Sequence, residues 1–200
     1  MPPAIAVGSW AMPDLSSNNR EILLELARNA IRTHLETGND FSFRTDVPEL
    51  NWNRGCFVTL RKHSELRGCV GTFDIKEPLF QNVTRMAVAS AVRDTRFPPV
   101  SKSELPLVTI EISVLSPLEK VSVLDEIEIG KHGVLVQLGN RSGTFLPEVA
   151  VDQKWSREEF VVRCARAKAG LRTKDCAQAE IYRYEVEKFS EPELPHKPKN

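Results

Sequence analysis

The arrangement of strand-like segments constrains the fold more than any other feature of the sequence. Residues 55–60 and 66–73 are rich in apolar and β-branched residues and flank a short polar stretch, as the two strands of a hairpin do. Residues 134–138 and 144–146 form a second pair around the glycine-containing stretch 139–143. Helical patterns separate these pairs, and alternating strand–helix–strand units are lacking. The sequence therefore predicts an α+β fold with a largely antiparallel sheet packed with helices.

The first hairpin predicts which side chains share a face of the sheet. If Leu60 pairs with Leu66, the alternation of side chains along both strands assigns every residue to one side. One face then carries Cys56, Val58, Val70 and Thr72, and the other carries Phe57, Thr59, Cys69 and Phe73. We therefore expect Cys56 and Cys69 to point to opposite faces.

Two helices are predicted around this hairpin. Before it, apolar residues recur at three- and four-residue steps, Asn18 and Glu21 offer a capping box, and Gly38 ends the pattern. After it, a second helix begins with Pro78 at its first position and ends before Asp94. Both helices have an apolar stripe that can cover a sheet.

The second half of the chain predicts further elements. Residues 108–115 alternate apolar and polar side chains as a half-buried strand does. Ser156 and Glu159 form another capping box, and the helix that follows is expected to stop at Gly170. A last strand is expected with one face formed by Tyr182, Tyr184 and Val186.

Charge and cysteine content exclude several classes of protein. Lys plus Arg and Asp plus Glu both number 27, so no overall field attracts nucleic acid or an anionic membrane. No apolar run approaches the ~20 residues that cross a bilayer. The first residues make a poor secretory signal, so a cytoplasmic location is expected. In that reducing compartment, scattered cysteines without a C-x-x-C pair predict free thiols, with no disulfide and no zinc site. They are Cys56, Cys69, Cys164 and Cys176.

The length of 200 residues suits one domain. We expect an N-terminal segment over residues 1–16, a single domain over 17–190, and a tail over 191–200. The tail contains prolines and charges and is expected to be mobile.

One segment resembles a family signature. Leu66-Arg67-Gly68-Cys69-Val70-Gly71-Thr72-Phe73 closely resembles the Leu-Arg-Gly-Cys-Ile-Gly-Thr-Phe run of the AMMECR family, in its prokaryotic single-domain type. Other family segments are resembled, in the family's order, by residues 55–60, 94–100, 110–117, 132–133 and 168–171. Together these segments span most of residues 17–190.

The resemblance implies an α+β fold with one larger and one smaller lobe. It does not identify a molecular activity, and the cofactor stays unknown. Bacterial relatives are often encoded near a radical-enzyme protein and a dioxygenase-like protein, which suggests partners of those two kinds. The chain departs from the family at Glu148, where the usual residue is glutamine.

Cys69 is the strongest candidate for a reactive group. Glycines inside a strand sacrifice packing, so Gly68 and Gly71 indicate that a ligand or another backbone approaches closely. A guanidinium from Arg67 would stabilise a thiolate. The alternative is that Cys69 is a small buried hydrophobic residue between glycines that fit a tight sheet.

Several polar residues are expected around Cys69. His132 and Glu148 are the proposed catalytic partners, because a cysteine nucleophile needs a base and both residues lie at predicted loops. The alternative for His132 is a histidine that binds backbone at the start of a strand. Arg67, Thr72, Asp94 and Arg96 are expected to bind substrate. The alternative for Asp94 is that it ends a helix and pairs with Arg96 to fix a loop.

Two functions remain open on the sequence. The first is an enzyme that modifies a small molecule or a macromolecule in a pocket around Cys69. The second is a non-catalytic module that binds RNA or a protein through the basic residues of the last helix region. These are Arg157, Arg163, Arg166, Lys168, Arg172 and Lys174.

Overall fold

The computed structural model describes residues 14–192, so the remainder of the expected N-terminal segment and of the tail lies outside the described residues. Within this range, eight strands form two four-stranded antiparallel sheets and five α-helices accompany them, which confirms the α+β class. The helices are α1 (Ser17–Thr37), α2 (Leu79–Val92), α3 (Pro147–Asp152), α4 (Arg157–Ala167) and α5 (Thr173–Cys176). The strands are β1 (Cys56–Lys62), β2 (Glu65–Thr72), β3 (Val108–Leu115), β4 (Glu119–Lys120), β5 (Gly133–Leu138), β6 (Arg141–Phe145), β7 (Glu180–Tyr184) and β8 (Val186–Ser190). None of the helices in the described range is long and apolar enough to cross a bilayer.

The first sheet has the strand order β2-β1-β3-β8 and belongs to the larger lobe. Helices α1 and α2 cover one of its faces, and their apolar stripes meet β1 and β3 in a single core. The alternation predicted for β3 is confirmed, because Val108, Ile110, Ile112 and Val114 are all buried in this core. Burial of each such side chain stabilises the fold by about 1.5–3 kcal/mol relative to exposure.

Helix α1 is capped at both ends, although not by the expected residues at its start. The hydroxyl of Ser16 accepts the N–H of Asn19 at 3.1 Å, so the predicted capping box of Asn18 and Glu21 is wrong by two residues. At the other end Gly38 has a φ of 75°, and this left-handed conformation ends the helix as predicted.

The hairpin of β1 and β2 forms with a different register from the expected one. Leu60 pairs with Gly68 rather than with Leu66, because Arg67 is an extra residue that creates a bulge in β2. A shift of two residues leaves the faces unchanged, since side chains alternate with a period of two. The two cysteines of the hairpin therefore point to opposite faces, as predicted.

Both hairpins turn through two residues. His63 and Ser64 have φ values of 53° and 66°, and Gly139 begins the second turn with a φ of 58°. The second turn is therefore shorter than the predicted loop over residues 139–143, and Gly143 lies inside β6. A Cβ on Gly143 would lie 2.3 Å from the backbone that follows α4, so this glycine permits helix and sheet to approach.

The second sheet has the strand order β4-β7-β5-β6 and belongs to the smaller lobe. Helix α4 covers one face and buries Phe160 completely. The predicted capping box is confirmed, because the Ser156 hydroxyl and the Glu159 carboxylate each accept the backbone N–H of the other residue. The helix ends at Ala167, before the predicted stop at Gly170.

The expected last strand is two strands that belong to different sheets. The chain runs along β7 in the smaller lobe as far as Tyr184 and resumes as β8 in the larger lobe at Val186. Glu185 is the switch residue: its C=O accepts the Ser116 N–H at 3.0 Å, and its N–H donates to the Ser116 hydroxyl at 2.9 Å. The alternation of residues 182–186 continues through this switch, which is why the sequence resembles one strand.

The lobes meet through the faces that their main helices do not cover. Phe73, directly after β2, contacts Phe57 of β1 and Tyr184 of β7, with ring centroids 5.8 and 5.2 Å apart. On the same side of the first sheet, Lys188 of β8 forms an ion pair with Glu148 of α3. An aromatic contact and an ion pair therefore join the two lobes.

Candidate functional site

The glycines of the signature segment are explained by close contacts on both sides of β2. A Cβ on Gly68 would lie 2.2 Å from the carbonyl oxygen of Ser90 in α2. A Cβ on Gly71 would lie 2.1 Å from the ring of Phe57. The predicted close approach is therefore made by a helix backbone at the first glycine and by an aromatic ring at the second.

The side chain of Cys69 lies on the face of the first sheet that α1 and α2 leave uncovered. It is half-buried, and its sulfur accepts a hydrogen bond from the Thr59 hydroxyl at 3.3 Å. Thr59 is the cross-strand neighbour of Cys69, and Glu111 is the next residue in the same row. The thiol is therefore part of a polar row, which differs from the buried apolar setting that was its alternative.

Asp94 and Arg96 hold the backbone of Cys69 at the edge of the sheet. The Asp94 carboxylate accepts the Cys69 N–H at 2.8 Å, and the Arg96 guanidinium donates to the Cys69 C=O at 3.2 Å. The two side chains also bind each other, with 2.9 and 2.6 Å between nitrogen and oxygen. The structure thus brings both residues to Cys69. They also form the pair with each other that was the alternative prediction for Asp94.

This clamp shifts the ionisation of both of its members. The hydrogen bonds from Arg96 hold the pKa of Asp94 well below its ordinary range. The pKa of Arg96 is raised, chiefly by its hydrogen bond to Asp94 and in smaller part by the nearby Cys69. Arg96 therefore carries a positive charge next to the backbone of Cys69, and the Asp94 carboxylate balances that charge.

Arg67 contacts Glu104 rather than Cys69. Its guanidinium binds the Glu104 carboxylate in bidentate fashion, at 2.9 and 3.0 Å, and holds the pKa of that carboxyl at about 2. On a regular strand, Arg67 and Cys69 would share a face because they are two positions apart. The bulge at Arg67 removes this residue from the alternation, and Arg96 provides the cation near the thiol instead.

His132 is buried in the smaller lobe and is bonded to backbone. Its Nδ1 accepts the N–H of Glu128 at 2.9 Å, and its Nε2 lies 3.8 Å from the carboxylate of Glu185. Burial is the main cause that lowers the pKa of His132, and the cations Arg183 and Lys131 lower it further. His132 thus binds backbone at the start of a strand, which was the alternative to a catalytic role. Among residues 14–192, no hydrogen bond or ion pair joins His132 to Cys69.

Thr72 and Glu148 differ in their relation to Cys69. Thr72 lies on the helix-covered side of β2, and its hydroxyl accepts the N–H of Asp74 at 2.9 Å, so it is not brought to the thiol. Glu148 lies on the Cys69 side of the first sheet, where it pairs with Lys188. Lys188 also lies 3.7 Å from Glu111, so this face carries a group of two carboxylates around one ammonium.

Three residues of this face were missed as site residues in the sequence. Thr59 and Glu111 lie on the polar side of their strands, so the alternation along β1 and β3 could have identified them. Lys188 could not be found in this way, because its position opposite Ser113 depends on the switch at residue 185. We call Cys69, Thr59, Arg96, Glu111, Lys188 and Glu148 the polar face.

The other cysteines have different surroundings. Burial raises the pKa of the Cys56 and Cys164 thiols to about 12. Cys176 is partly exposed, and its thiol donates to the carbonyl of Arg172 at 3.4 Å. No group of three or more His, Cys, Asp or Glu side chains in residues 14–192 is arranged to hold a metal ion.

Three surface cavities lie away from Cys69. The first, of about 530 Å³, lies beside α4 and includes Phe145 and Trp155. The second, of about 250 Å³, lies between α1 and the segment around Leu105. The third, again about 530 Å³, lies along the segment after α1 and includes Phe43. None of the three is lined by Cys69 or by another residue of the polar face.

Comparisons with known proteins agree with the fold and with the signature. The AMMECR1 family model matches residues 24–189. Protein MK0488 of Methanopyrus kandleri is 39% identical over 193 residues, which cover 90% of this chain and 91% of the relative. Protein PYRAB00100 of Pyrococcus abyssi is 38% identical, over 89% of this chain and 92% of that protein. The crystal structure of the uncharacterized protein PH0010 from Pyrococcus horikoshii superimposes with a TM-score of 0.78 at 36% identity, over 86% of this chain and 90% of that chain. The chain belongs to the AMMECR1 family.

Proposed function

We propose that the protein is an enzyme that modifies a small molecule or a macromolecule through the thiol of Cys69. The observation that carries the proposal is the hydrogen bond from Thr59 to the Cys69 sulfur, at 3.3 Å, beside the Arg96 guanidinium. The thiolate is the nucleophilic form of cysteine, and the Thr59 hydroxyl donates to this sulfur. Packing of a small buried hydrophobic residue would need no such donor.

The proposed step is nucleophilic attack. The Cys69 thiol loses its proton to water, and the thiolate attacks an electrophilic carbon of the substrate. A sulfur–carbon bond forms while the bond from that carbon to the leaving group breaks, and the leaving group departs with the electron pair and takes a proton from water. Water or a second substrate then displaces the sulfur from the same carbon, which releases the modified product and returns the thiolate. Glu111, Lys188 and Glu148 bind polar groups of the substrate on the same face, and Asp94 with Arg96 fixes the strand that carries the nucleophile.

His132 is left out of this mechanism. Its Nδ1 is occupied as an acceptor of the Glu128 N–H, so in the neutral ring the proton is on Nε2. No ring nitrogen then has a free lone pair for accepting a proton from a thiol. The proposed role of His132 is to hold the turn that leads into β5.

Selective alkylation tests the proposal. Iodoacetamide at about pH 7, followed by peptide mass spectrometry, should modify Cys69 faster than Cys176, because the Thr59 hydroxyl donates to the Cys69 sulfur whereas the Cys176 thiol donates to a carbonyl. Thr59→Val should slow the modification of Cys69 severalfold and leave Cys176 unchanged. Thr109→Val is the matched control, because Thr109 lies on the same face of β3 away from the thiol. A Cys69 that reacts only after unfolding, or equally in both valine variants, would contradict the proposal.

The binding-module alternative has weaker support, because many of its cations are already engaged. Arg157 pairs with Asp125 at 2.8 Å, Arg172 pairs with Asp175 at 2.9 Å, and Arg163 lies over the ring of Trp155. Partners of the radical-enzyme or dioxygenase type would dock on the polar face as suppliers or acceptors of the substrate. We propose a cytoplasmic location, where thiols are kept reduced.

A further inference from the structure

Helix α4 carries a stripe of three exposed residues that no neighbouring element covers. Glu158, Val162 and Arg166 follow one another at four-residue steps, so they lie on one side of the helix. All three are exposed, and Val162 keeps 44% of its surface in contact with solvent. The stripe therefore presents an acid, an aliphatic side chain and a base in a line.

The charges at the two ends of the stripe are available for a partner. Within residues 14–192, Glu158 accepts hydrogen bonds only from its own backbone N–H and from the Ser156 hydroxyl, the latter at 2.8 Å. The Arg166 guanidinium makes no hydrogen bond, ion pair or ring contact with any residue in the range 14–192. Arg163, about one turn earlier on α4, in contrast lies over the ring of Trp155 and forms an ion pair with Glu159.

An apolar groove lies beside the stripe. It has a volume of about 530 Å³, and its lining includes Phe145, Trp155 and Val162. Phe145 and Trp155 contact each other with ring centroids 5.6 Å apart, so the floor of the groove is aromatic. A hollow next to a protruding aliphatic side chain allows the same surface to act as both knob and hole.

We propose that a second copy of this chain docks on this face, with the two α4 helices antiparallel. A two-fold axis at Val162 places Glu158 of each copy opposite Arg166 of the other, so two ion pairs form around an apolar centre. Val162 of each copy then enters the aromatic groove of the other. In the opposite direction the stripe presents a base, an aliphatic side chain and an acid. Two antiparallel copies are therefore complementary to each other, as an isologous interface requires.

The charge pattern favours a second copy over nucleic acid. Glu158 and Glu159 border the groove together with Arg163 and Arg166, so a phosphate backbone along α4 would meet two carboxylates. The whole chain has a formal net charge of zero, which gives no long-range attraction to RNA. This proposal is independent of the chemistry at Cys69.

Charge exchange between copies tests the interface. Sedimentation equilibrium of the full chain at low ionic strength should show a dimer, and Glu158→Arg or Arg166→Glu alone should raise its dissociation constant at least about tenfold, because each creates two like-charged pairs. An equimolar mixture of the two variants should form a heterodimer with an affinity within about threefold of wild type, because both pairs are then opposite in charge. Glu25→Arg, on the exposed side of α1, is the matched control and should not change association.

The mixture keeps the test independent of folding defects, because a variant that has lost the fold cannot regain affinity when mixed. A wild-type chain that stays monomeric up to about 200 μM would overturn the proposal, since such a dimer would be too weak to matter. Single variants that associate like wild type, or a mixture that fails to associate, would also overturn it. A labelled single-stranded RNA that binds monomeric wild type and is lost in Arg166→Glu would assign this face to RNA instead.

Discussion

The two faces of the first sheet place the same kind of side chain in opposite environments. Cys56 lies on the face covered by α1 and α2, is fully buried among apolar side chains, and has its pKa raised to about 12 by that burial. Cys69 lies on the neighbouring strand and the other face, beside a hydroxyl and near a guanidinium. One cysteine is enclosed by the core, and the other is half-buried in a polar row.

The glycines of β2 repeat this difference. At Gly68, on the covered face, the backbone of α2 leaves no room for a side chain, and this backbone cannot move without moving the helix. A side chain at Gly71, on the uncovered face, would meet the Phe57 ring. Added volume therefore meets a helix backbone on the covered face and an aromatic side chain on the uncovered face.

The largest effect is expected from adding a methyl group on the covered face. Gly68→Ala should lower the free energy of unfolding by about 2–3 kcal/mol, because the new Cβ must displace the Ser90 carbonyl. Gly71→Ala should cost only about 1 kcal/mol, because the Phe57 ring can give way. Urea denaturation of both variants measures the difference, and equal midpoints would break the distinction between the faces.

Replacing the thiols by hydroxyls should separate the two faces again. Cys56→Ser should destabilise the protein by about 1–3 kcal/mol, because it buries a hydroxyl in an apolar core. Cys69→Ser should change stability by less than about 0.5 kcal/mol, because the Thr59 hydroxyl remains as a partner. Thermal unfolding of the two variants decides this, and a larger loss at Cys69 would reverse the assignment of core and site.

The ion pair at Arg67 predicts a loss of stability in acid. The pKa of Glu104 is about 2 in the folded protein against an ordinary value of 4.5, so its contribution is complete above about pH 4.5 and is lost as the pH falls toward 2. Arg67→Gln should remove about 1 kcal/mol at neutral pH and flatten the dependence in this range. Unfolding free energies at about pH 6 and about pH 3 measure it. Arg61→Gln serves as control, and an Arg67→Gln variant that keeps the wild-type slope would refute this role.

The smallest effect is expected at the contact between the lobes. Glu148→Gln restores the amide that is usual in the family and should cost no more than about 0.5 kcal/mol, because the pair with Lys188 is substantially exposed. The same variant should alter substrate binding if Glu148 acts on the polar face. A loss of several kcal/mol would mean that the pair holds the lobes together and is not part of a site.

Most of the fold could be predicted because its elements have strong periodicities. The alternation of β3 identified its buried face, and the capping box at Ser156 identified the start of α4. The switch at Glu185 could not be predicted, because a strand that changes sheets keeps its alternation. Short elements such as β4 and α3 have too few residues to show a period.

The site was predicted only where local geometry determines it. Asp94 and Arg96 lie directly after a helix that packs on β2, so their approach to Cys69 follows from chain connectivity. The direction of a long side chain does not follow from its spacing along a strand. The contact of Arg67 with Glu104, instead of with the thiol, could therefore not be predicted. His132 was chosen as a base at the entrance of a strand, and its backbone hydrogen bond depends on the turn from Glu128, which that position does not reveal.

The most direct test of the central claim compares the labelling of Cys69 and Cys56 in the native protein. Both thiols are followed by mass spectrometry under increasing, non-denaturing concentrations of urea, with four free thiols expected in the fully denatured chain. We expect Cys69 to react at a rate independent of urea, because it is accessible without unfolding, and Cys56 to react only at the rate of global opening. Equal rates that both follow global unfolding would contradict the assignment of a reactive face to this sheet.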